Sequence, residues 1–477
     1  MSRLHGDVSR HMWQGLWKGI PVPEIPISHV TNGVHMASYA GLPMVELLKR
    51  ALGKNWVDME AGAQGWFKFD SIPDKLIWQV HNLQKMALIE YMSSSVASLY
   101  KKLGVDRKDI NQAISMLSTD TLLIGFARRF APYKRANLLF ADLQRLENLL
   151  SDTRHPVALV FAGKAHPADS QGIDIMQEII RYCTDKRFLG RIFFLEDYSL
   201  AISRLLVQGC DVWLNTPRRP YEASGTSGQK VTVNGVLNLS ISDGWWCEGY
   251  NGSNGWTIGP VRTTMAQEDT QSDYNDAEAL YTLLEEQVIP LYYYRNQNSI
   301  PTRWVKTMKE SMRTLIPAYS SHRMVRDYLR DYYMPVAERY AKLSGDDTIV
   351  RHIVEWKKDI ATRFASVKVG LLRIDGMDSD TCEAGQPIRV TVSMDPGQMK
   401  QEELLVQLVV GAYDGREFVE KPRVVLLSYE RTTSDNSLVY ACDFVTRKSG
   451  RQAYGVRILP TTPDIEGDFD TNMVLWA

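Results

Sequence analysis

The chain has 477 residues, 44% hydrophobic and 23% charged, a globular composition long enough for two or three separately cored domains. Lys plus Arg number 55 against 56 Asp plus Glu, and a formal net charge of -1 excludes electrostatic capture by nucleic acid or an anionic membrane as an organising principle. Five cysteines (Cys183, Cys210, Cys247, Cys382 and Cys442) lack any C-x-x-C pair, and no apolar run reaches about 18 residues, so neither a disulfide framework, a zinc site nor a membrane span is expected.

The opening MSRLHGDVSRHMWQGLWKGI has no apolar signal core, so the expected location is cytoplasmic, with the thiols reduced. Residues 1–117 read as mostly helical, with a proline-rich loop from Ile20 to Ile27 and helical apolar spacing in MVELLKRAL and LIWQVHNLQKMALIEYMSSSVASLY. Near residue 120 the pattern changes to short apolar runs alternating with amphipathic helices: LLIGFA, ANLLFADLQRLENLL, VALVFAG, GIDIMQEIIRYC, RIFFLED, LAISRLLVQGC, DVWLNTP. Runs too apolar for one solvated face predict an α/β fold with a Rossmann-like parallel sheet over 118–345, whose ligands belong at the carboxyl ends of its strands. Residues 346–364 read as a helical linker. From Val367 the period becomes two, in VKVGLLRI, IRVTVSM, LLVQLVVGAY, RVVLLSY, LVYACDF and YGVRILP, which predicts an antiparallel β-sandwich over 365–477.

The segment RRPYEASGTSGQKVTVNG, residues 218–235, lies between two predicted strands, where such a sheet builds its site. Gly225 lets the backbone turn into a helix whose first residues, Thr226, Ser227 and Gly228, offer free N–H groups and hydroxyls to an anion. Lys230 is four residues after Thr226 and shares its helix face, the separation suited to a cofactor with a phosphate at one end and an aldehyde at the other. By themselves, a glycine-rich helix start is common and a first-turn lysine is usually solvated. A second cationic group, Arg128, Arg129, Lys134 and Arg135 around Tyr133 in FARRFAPYKRANLLF, suits two phosphates, although a basic loop before a helix is more often merely solvated. Asn32 and His35 in HVTNGVHMASY, with Lys164 and His166 in FAGKAHPADS, are candidate partners for sugar hydroxyls; a turn and a backbone-satisfied histidine are the ordinary alternatives.

EASGTSGQK resembles the pyridoxal-phosphate lysine motif of the α-glucan (glycogen and starch) phosphorylases, E-A-S-G-T-x-N-M-K, and matches it at Glu222, Ala223, Ser224, Gly225, Thr226 and Lys230. RRFAPYKR resembles that family's R-x-x-x-Y-K segment at Arg129, Tyr133 and Lys134, HVTNGVH its K-T-N-G-I turn, and SRLHGDVS its A-x-I-H-S segment. The wording is nearest the shorter bacterial and archaeal type, and Gly228 and Gln229 stand where the family commonly has Asn and Met. The resemblance implies a GT-B fold, of which this chain is expected to be the C-terminal part, with residues 1–117 a remnant and linker of the other half. It implies pyridoxal 5'-phosphate as cofactor, carried on Lys230 and held with Thr226, Ser227 and Arg128. Lys134 and Arg129 are the implied catalytic cations; Asn32, Tyr133, Glu222, Ser224 and Gly225 the implied glucosyl contacts.

The implied reaction is phosphorolysis of α-1,4-glucan to glucose 1-phosphate with retention. Glucan, inorganic phosphate and glucose 1-phosphate are then the partners, without nucleic acid or membrane, together with a homo-oligomer or an N-terminal part. Two other readings of the residues stay open: a non-catalytic glucan-binding or regulatory fragment, and a GT-B glucosyltransferase using nucleotide sugars.

Overall fold

In the computed structural model, which describes residues 1–262, 273–377, 381–446 and 448–477, the apolar runs of the chain's middle form six parallel strands. They are β1 (Leu122–Ala127), β2 (Val157–Ala162), β3 (Ile192–Leu195), β4 (Val212–Asn215), β5 (Leu237–Ile241) and β6 (Gly255–Ile258), in the order β3-β2-β1-β4-β5-β6. Every residue of these strands is buried, because helices cover both faces of a parallel sheet; hence the unbroken apolar runs. The order reverses between β1 and β4, which makes the gap beyond their carboxyl ends the expected ligand crevice. β6 is not anticipated in the sequence: GWTI starts on a glycine and has a threonine between its two apolar residues, so it carries no unbroken apolar run. The stretch ANLLFADLQRLENLL is not one helix either. A 3₁₀ turn, Leu138–Ala141, stops at Asp142, whose carboxylate accepts the Arg145 N–H and caps the helix Leu143–Ser151.

The amino ends of the same strands are pinned by a buried polar network. Lys85, from the helix Asp74–Lys102, spends its three N–H donors on the Thr121 carbonyl (2.5 Å), Asp211 Oδ2 (2.6 Å) and Tyr292 Oη (2.8 Å). Asp211 also accepts the Leu123 N–H (2.8 Å) and meets His81 Nε2 at 3.0 Å, while His81 Nδ1 faces the Asn234 carbonyl at 3.2 Å. Burial alone pushes the Asp211 carboxyl up, but Lys85, His81 and that N–H outweigh it and hold the group below the usual carboxylate range.

After the helix Asp347–Phe364 come β7 (Lys368–Asp375), β8 (Pro387–Asp395), β9 (Leu404–Ala412), β10 (Arg423–Leu426), β11 (Ser428–Thr432), β12 (Leu438–Val445), β13 (Gln452–Pro460) and β14 (Leu475–Trp476). They form two four-stranded sheets, β10-β9-β13-β14 and β11-β12-β8-β7, with antiparallel pairing throughout. On β8 the buried residues Ile388, Val390, Val392 and Met394 alternate with more exposed ones, the period of two that identified the sandwich.

By contacts, the chain separates into two compact units, residues 1–6 with 29–331 and residues 7–28 with 332–477. Within the second, Glu24 makes a buried bidentate pair with Arg457 (2.6 and 2.9 Å), and Trp476 donates to the Gly19 carbonyl (2.7 Å). An early segment is thus a built-in part of the sandwich unit. Among the described residues no helix is long and apolar enough to cross a membrane, no group of His, Cys, Asp or Glu could hold a metal ion, and the five cysteines are free thiols.

Candidate active site

The crevice beyond β1 and β4 is built by the loops that follow them. After β1, the chain passes Arg128 and Arg129 and turns through the short 3₁₀ helix Pro132–Lys134; after β4 it runs through Arg218–Ser224 into the helix Thr226–Thr232. Arg135 locks the two loops together. It adopts a left-handed φ of 48°, donates to the carbonyls of Thr216 (2.9 Å) and Pro217 (3.0 Å), and pairs with Asp276 (2.7 Å). The Thr216 hydroxyl is 3.0 Å from the Lys134 and Arg135 carbonyls and donates to them.

On that scaffold Arg128 Nη2 reaches Glu222 Oε2 at 2.8 Å, and Lys134 Nζ donates to the same oxygen. Burial raises the Glu222 carboxyl, but the two cations outweigh it and hold it below its ordinary range, so it is ionised at neutral pH. The Lys134 ammonium also lies 4.5 Å from the centre of the Tyr133 ring, and Tyr133 meets Tyr221 edge-on at 6.5 Å. One carboxylate therefore faces two cations. Arg128 Nε and Nη1 and the Ser224 hydroxyl are buried with no hydrogen-bond partner among the described residues. Buried donors left unpaired are costly, and a cationic pair with donors to spare fits an anion.

Gly225 starts the Thr226–Thr232 helix with φ 85°, a left-handed value that a side chain would strain. Gly228, Gln229, Val231 and Thr232 form the helix's buried face and leave Lys230 half-buried, its ammonium 4.6 Å from the centre of the Tyr39 ring. Tyr39 is held there through its carbonyl, which accepts from Asn234 Nδ2 (3.0 Å) and Gln208 Nε2 (3.1 Å). Lys230 has an aromatic face and, among the described residues, no carboxylate partner, a setting that suits an amine meant to react rather than pair. Ser227 Oγ accepts from Trp213 Nε1 (3.2 Å). Gln229 Nε2 donates to the Asn32 carbonyl (2.8 Å) and so ties this helix to the Thr31–Val34 loop. The Gly228 Cα faces Trp245 and Asn238, where an added Cβ would lie 2.5 Å from Asn238 Oδ1 and 3.1 Å from the indole, so a side chain here requires both neighbours to shift.

The structure thus groups Arg128, Lys134, Tyr133 and Glu222; Ser224 follows on the same loop, Thr226 and Ser227 open the next helix, and Lys230 stands four residues after Thr226 on it. The structure does not bring in all four basic residues of the 128–135 segment. Arg129 is exposed with no hydrogen bond or ion pair among the described residues, and Arg135 is a buried brace. Lys164 and His166 are exposed after β2, with His166 Nδ1 accepting the Ala168 N–H (3.1 Å), the backbone-satisfied arrangement. His35 is exposed beside Ser38 (2.7 Å), its ring 5.8 Å from that of His322. Tyr39 and Asp243 are the additions that sequence reasoning missed. Asp243 had a usable signal, since it stands two residues after the end of β5, at the same edge of the sheet.

Residues 27–280 match the family Carbohydrate phosphorylase, and residues 365–477 match Glycogen phosphorylase C-terminal domain. The chain is 35% identical over 480 residues to a maltodextrin phosphorylase of Thermococcus litoralis, covering 100% of this chain and 55% of that protein. It is 41% identical over 338 residues to a glycogen phosphorylase of Aquifex aeolicus (70% of this chain, 47% of that one) and 33% identical over 478 residues to a glycogen phosphorylase of Mycobacterium bovis (100% and 55%). It spans about half the length of these curated relatives.

Proposed function

The chain belongs to the carbohydrate phosphorylase family, and from that premise we propose that it carries the pyridoxal-phosphate site of an α-glucan phosphorylase that converts α-1,4-glucan and inorganic phosphate to glucose 1-phosphate with retention. In this reading the parallel-sheet unit is one half of a GT-B enzyme. The observation that carries the proposal is the Arg128, Lys134 and Glu222 cluster with its unpartnered donors, on the loops that lead into the Thr226–Thr232 helix, together with Lys230 on that helix, which has no carboxylate partner among the described residues.

Lys230, whose ammonium lies beside the Tyr39 ring, would hold the cofactor covalently, and Arg128, Thr226 and Ser227 would donate to its phosphate. When bound, the cofactor supplies a phosphate that gives and takes a proton beside inorganic phosphate. Two phosphates held close together repel each other, and Lys134 with Arg128 offsets that charge in a partly dry crevice where Coulomb terms are strong. Arg129, adjacent and exposed, is the cation left to meet incoming phosphate. Glu222 fixes the Lys134 ammonium and, with Ser224, Gly225, Tyr133 and Asn32, presents polar groups to the glucosyl hydroxyls. A glucosyltransferase using nucleotide sugars has no need of an amine at residue 230, so Lys230 favours phosphorolysis.

The names of the relatives point to maltodextrin or glycogen as the glucan. The test is phosphate-dependent release of glucose 1-phosphate from maltodextrin by the cofactor-loaded chain assembled with the other GT-B half. Loss of that release in Lys230→Ala and Lys134→Ala is expected; release of free glucose, or turnover without phosphate, would contradict the reading.

A further inference from the structure

Asp243 is 2% exposed, follows β5, and makes no ion pair among the described residues. Its carboxylate instead accepts two backbone N–H groups, that of Glu222 on Oδ2 (3.0 Å) and that of Gly244 on Oδ1 (2.8 Å). The turn it begins grips the same loop twice more. The Trp245 N–H donates to the Ser224 carbonyl at 2.9 Å. Gly244, with φ 54°, packs so closely that an added Cβ would lie 2.4 Å from the Ser224 carbonyl oxygen and 3.0 Å from that of Glu222. Residues 222–224 are therefore held from behind at both ends, and the Glu222 side chain projects from that held backbone onto Arg128 and Lys134.

We propose that Asp243 is a positioning residue: it fixes the backbone of Glu222, and through it the placement of Arg128 and Lys134 in the anion site. Both carboxylate oxygens serve as acceptors, so asparagine, which brings an amide N–H to one of them, cannot reproduce the contact. Burial pushes this carboxyl up to about 7 against the two N–H bonds, with the Arg219 charge opposing the shift and that of Glu222 adding to it. A fold that wanted only stability here would use a neutral side chain; the buried charge is retained at a thermodynamic cost. The inference rests on the reading of this crevice as an anion site, and its first readout does not need a bound cofactor.

The experiment compares the full chain with Asp243→Asn, Asp243→Ala and Gly244→Ala, which pushes the loop from the other side while keeping the carboxylate. Amide hydrogen exchange at Glu222 is followed at pH 8, beside thermal unfolding and borohydride trapping of pyridoxal phosphate on Lys230. The expected result is exchange about tenfold faster at 222–224, the ratio for one ordinary hydrogen bond lost, without a matching loss of thermal stability in Asp243→Asn. Half-saturation of the Lys230 label should move to about tenfold higher cofactor concentration by the same ratio. Unchanged exchange at Glu222 in the variants that fold, or acceleration spread over the whole sheet with a fall in melting temperature, overturns the proposal. Failure of the unaltered chain to take up the cofactor strikes the functional reading instead, because the exchange result stands apart from it.

Discussion

The parallel sheet carries a cluster of basic residues around one carboxylate at each end of its strands, and the two clusters are opposite in kind. At the amino end, Lys85, His81 and Asp211 are sealed from solvent, and every donor of the lysine has its oxygen. At the carboxyl end, Arg128 and Lys134 share Glu222, but two Arg128 nitrogens and the Ser224 hydroxyl have no partner among the described residues. The same residue types thus do different work. A completed network ties strands together, while an incomplete one at the switch point of the sheet is open to a ligand.

The sharpest way to break that comparison is to remove one member of each cluster. Asp211→Ala strands a buried ammonium and is expected to cost about 3–5 kcal/mol, read as a fall in the denaturation midpoint without loss of cooperativity. The pH dependence of Asp243 comes next. Its folded-state value of about 7 exceeds the ordinary 3.8, so the native state holds a proton the unfolded chain has released. The stabilising contribution is whole below about pH 4 and is lost as pH rises through about 7. Urea unfolding of wild type and Asp243→Asn should then shift by about 2–4 kcal/mol in favour of the variant between pH 5 and pH 8. Gly228→Asn, which restores the residue common in the family, is expected to destabilise by about 1–3 kcal/mol because Trp245 and Asn238 occupy the space; calorimetry checks it. Smallest in stability is Arg128→Ala, about 1 kcal/mol or less, since Glu222 keeps Lys134 and two unpaired donors disappear. That variant should nonetheless lose affinity for inorganic phosphate, which titration calorimetry measures.

Much of this is legible in the sequence. The strands β1 to β5 announced themselves because burial on both faces leaves unbroken apolar runs, and the sandwich because burial on one face leaves alternation. The Glu222–Lys230 segment was readable because its glycines and lysine are local. What escaped reading depends on distance or on direction. Tyr39 reaches Lys230 from a segment nearly two hundred residues earlier in the chain, through the Asn234 amide, and no local pattern encodes that meeting. Arg128 and Arg129 are neighbours just past β1, and successive extended residues point to opposite sides, so only one of them turns onto Glu222. Composition cannot say which. Arg135 reads from sequence as one of four clustered cations, yet its left-handed turn sends it into the carbonyls that hold the two loops.

The central claim is that the open cluster and Lys230 form one pyridoxal-phosphate site. The most direct test is to incubate the folded chain with pyridoxal phosphate, reduce with borohydride and locate the label by peptide mass, in wild type, Lys230→Ala and Arg128→Ala. The account predicts a single label on Lys230, absent from Lys230→Ala, and requiring more cofactor in Arg128→Ala. A well-folded chain that takes up no label, or whose Lys230 labels with the same affinity when Arg128 is removed, would contradict it.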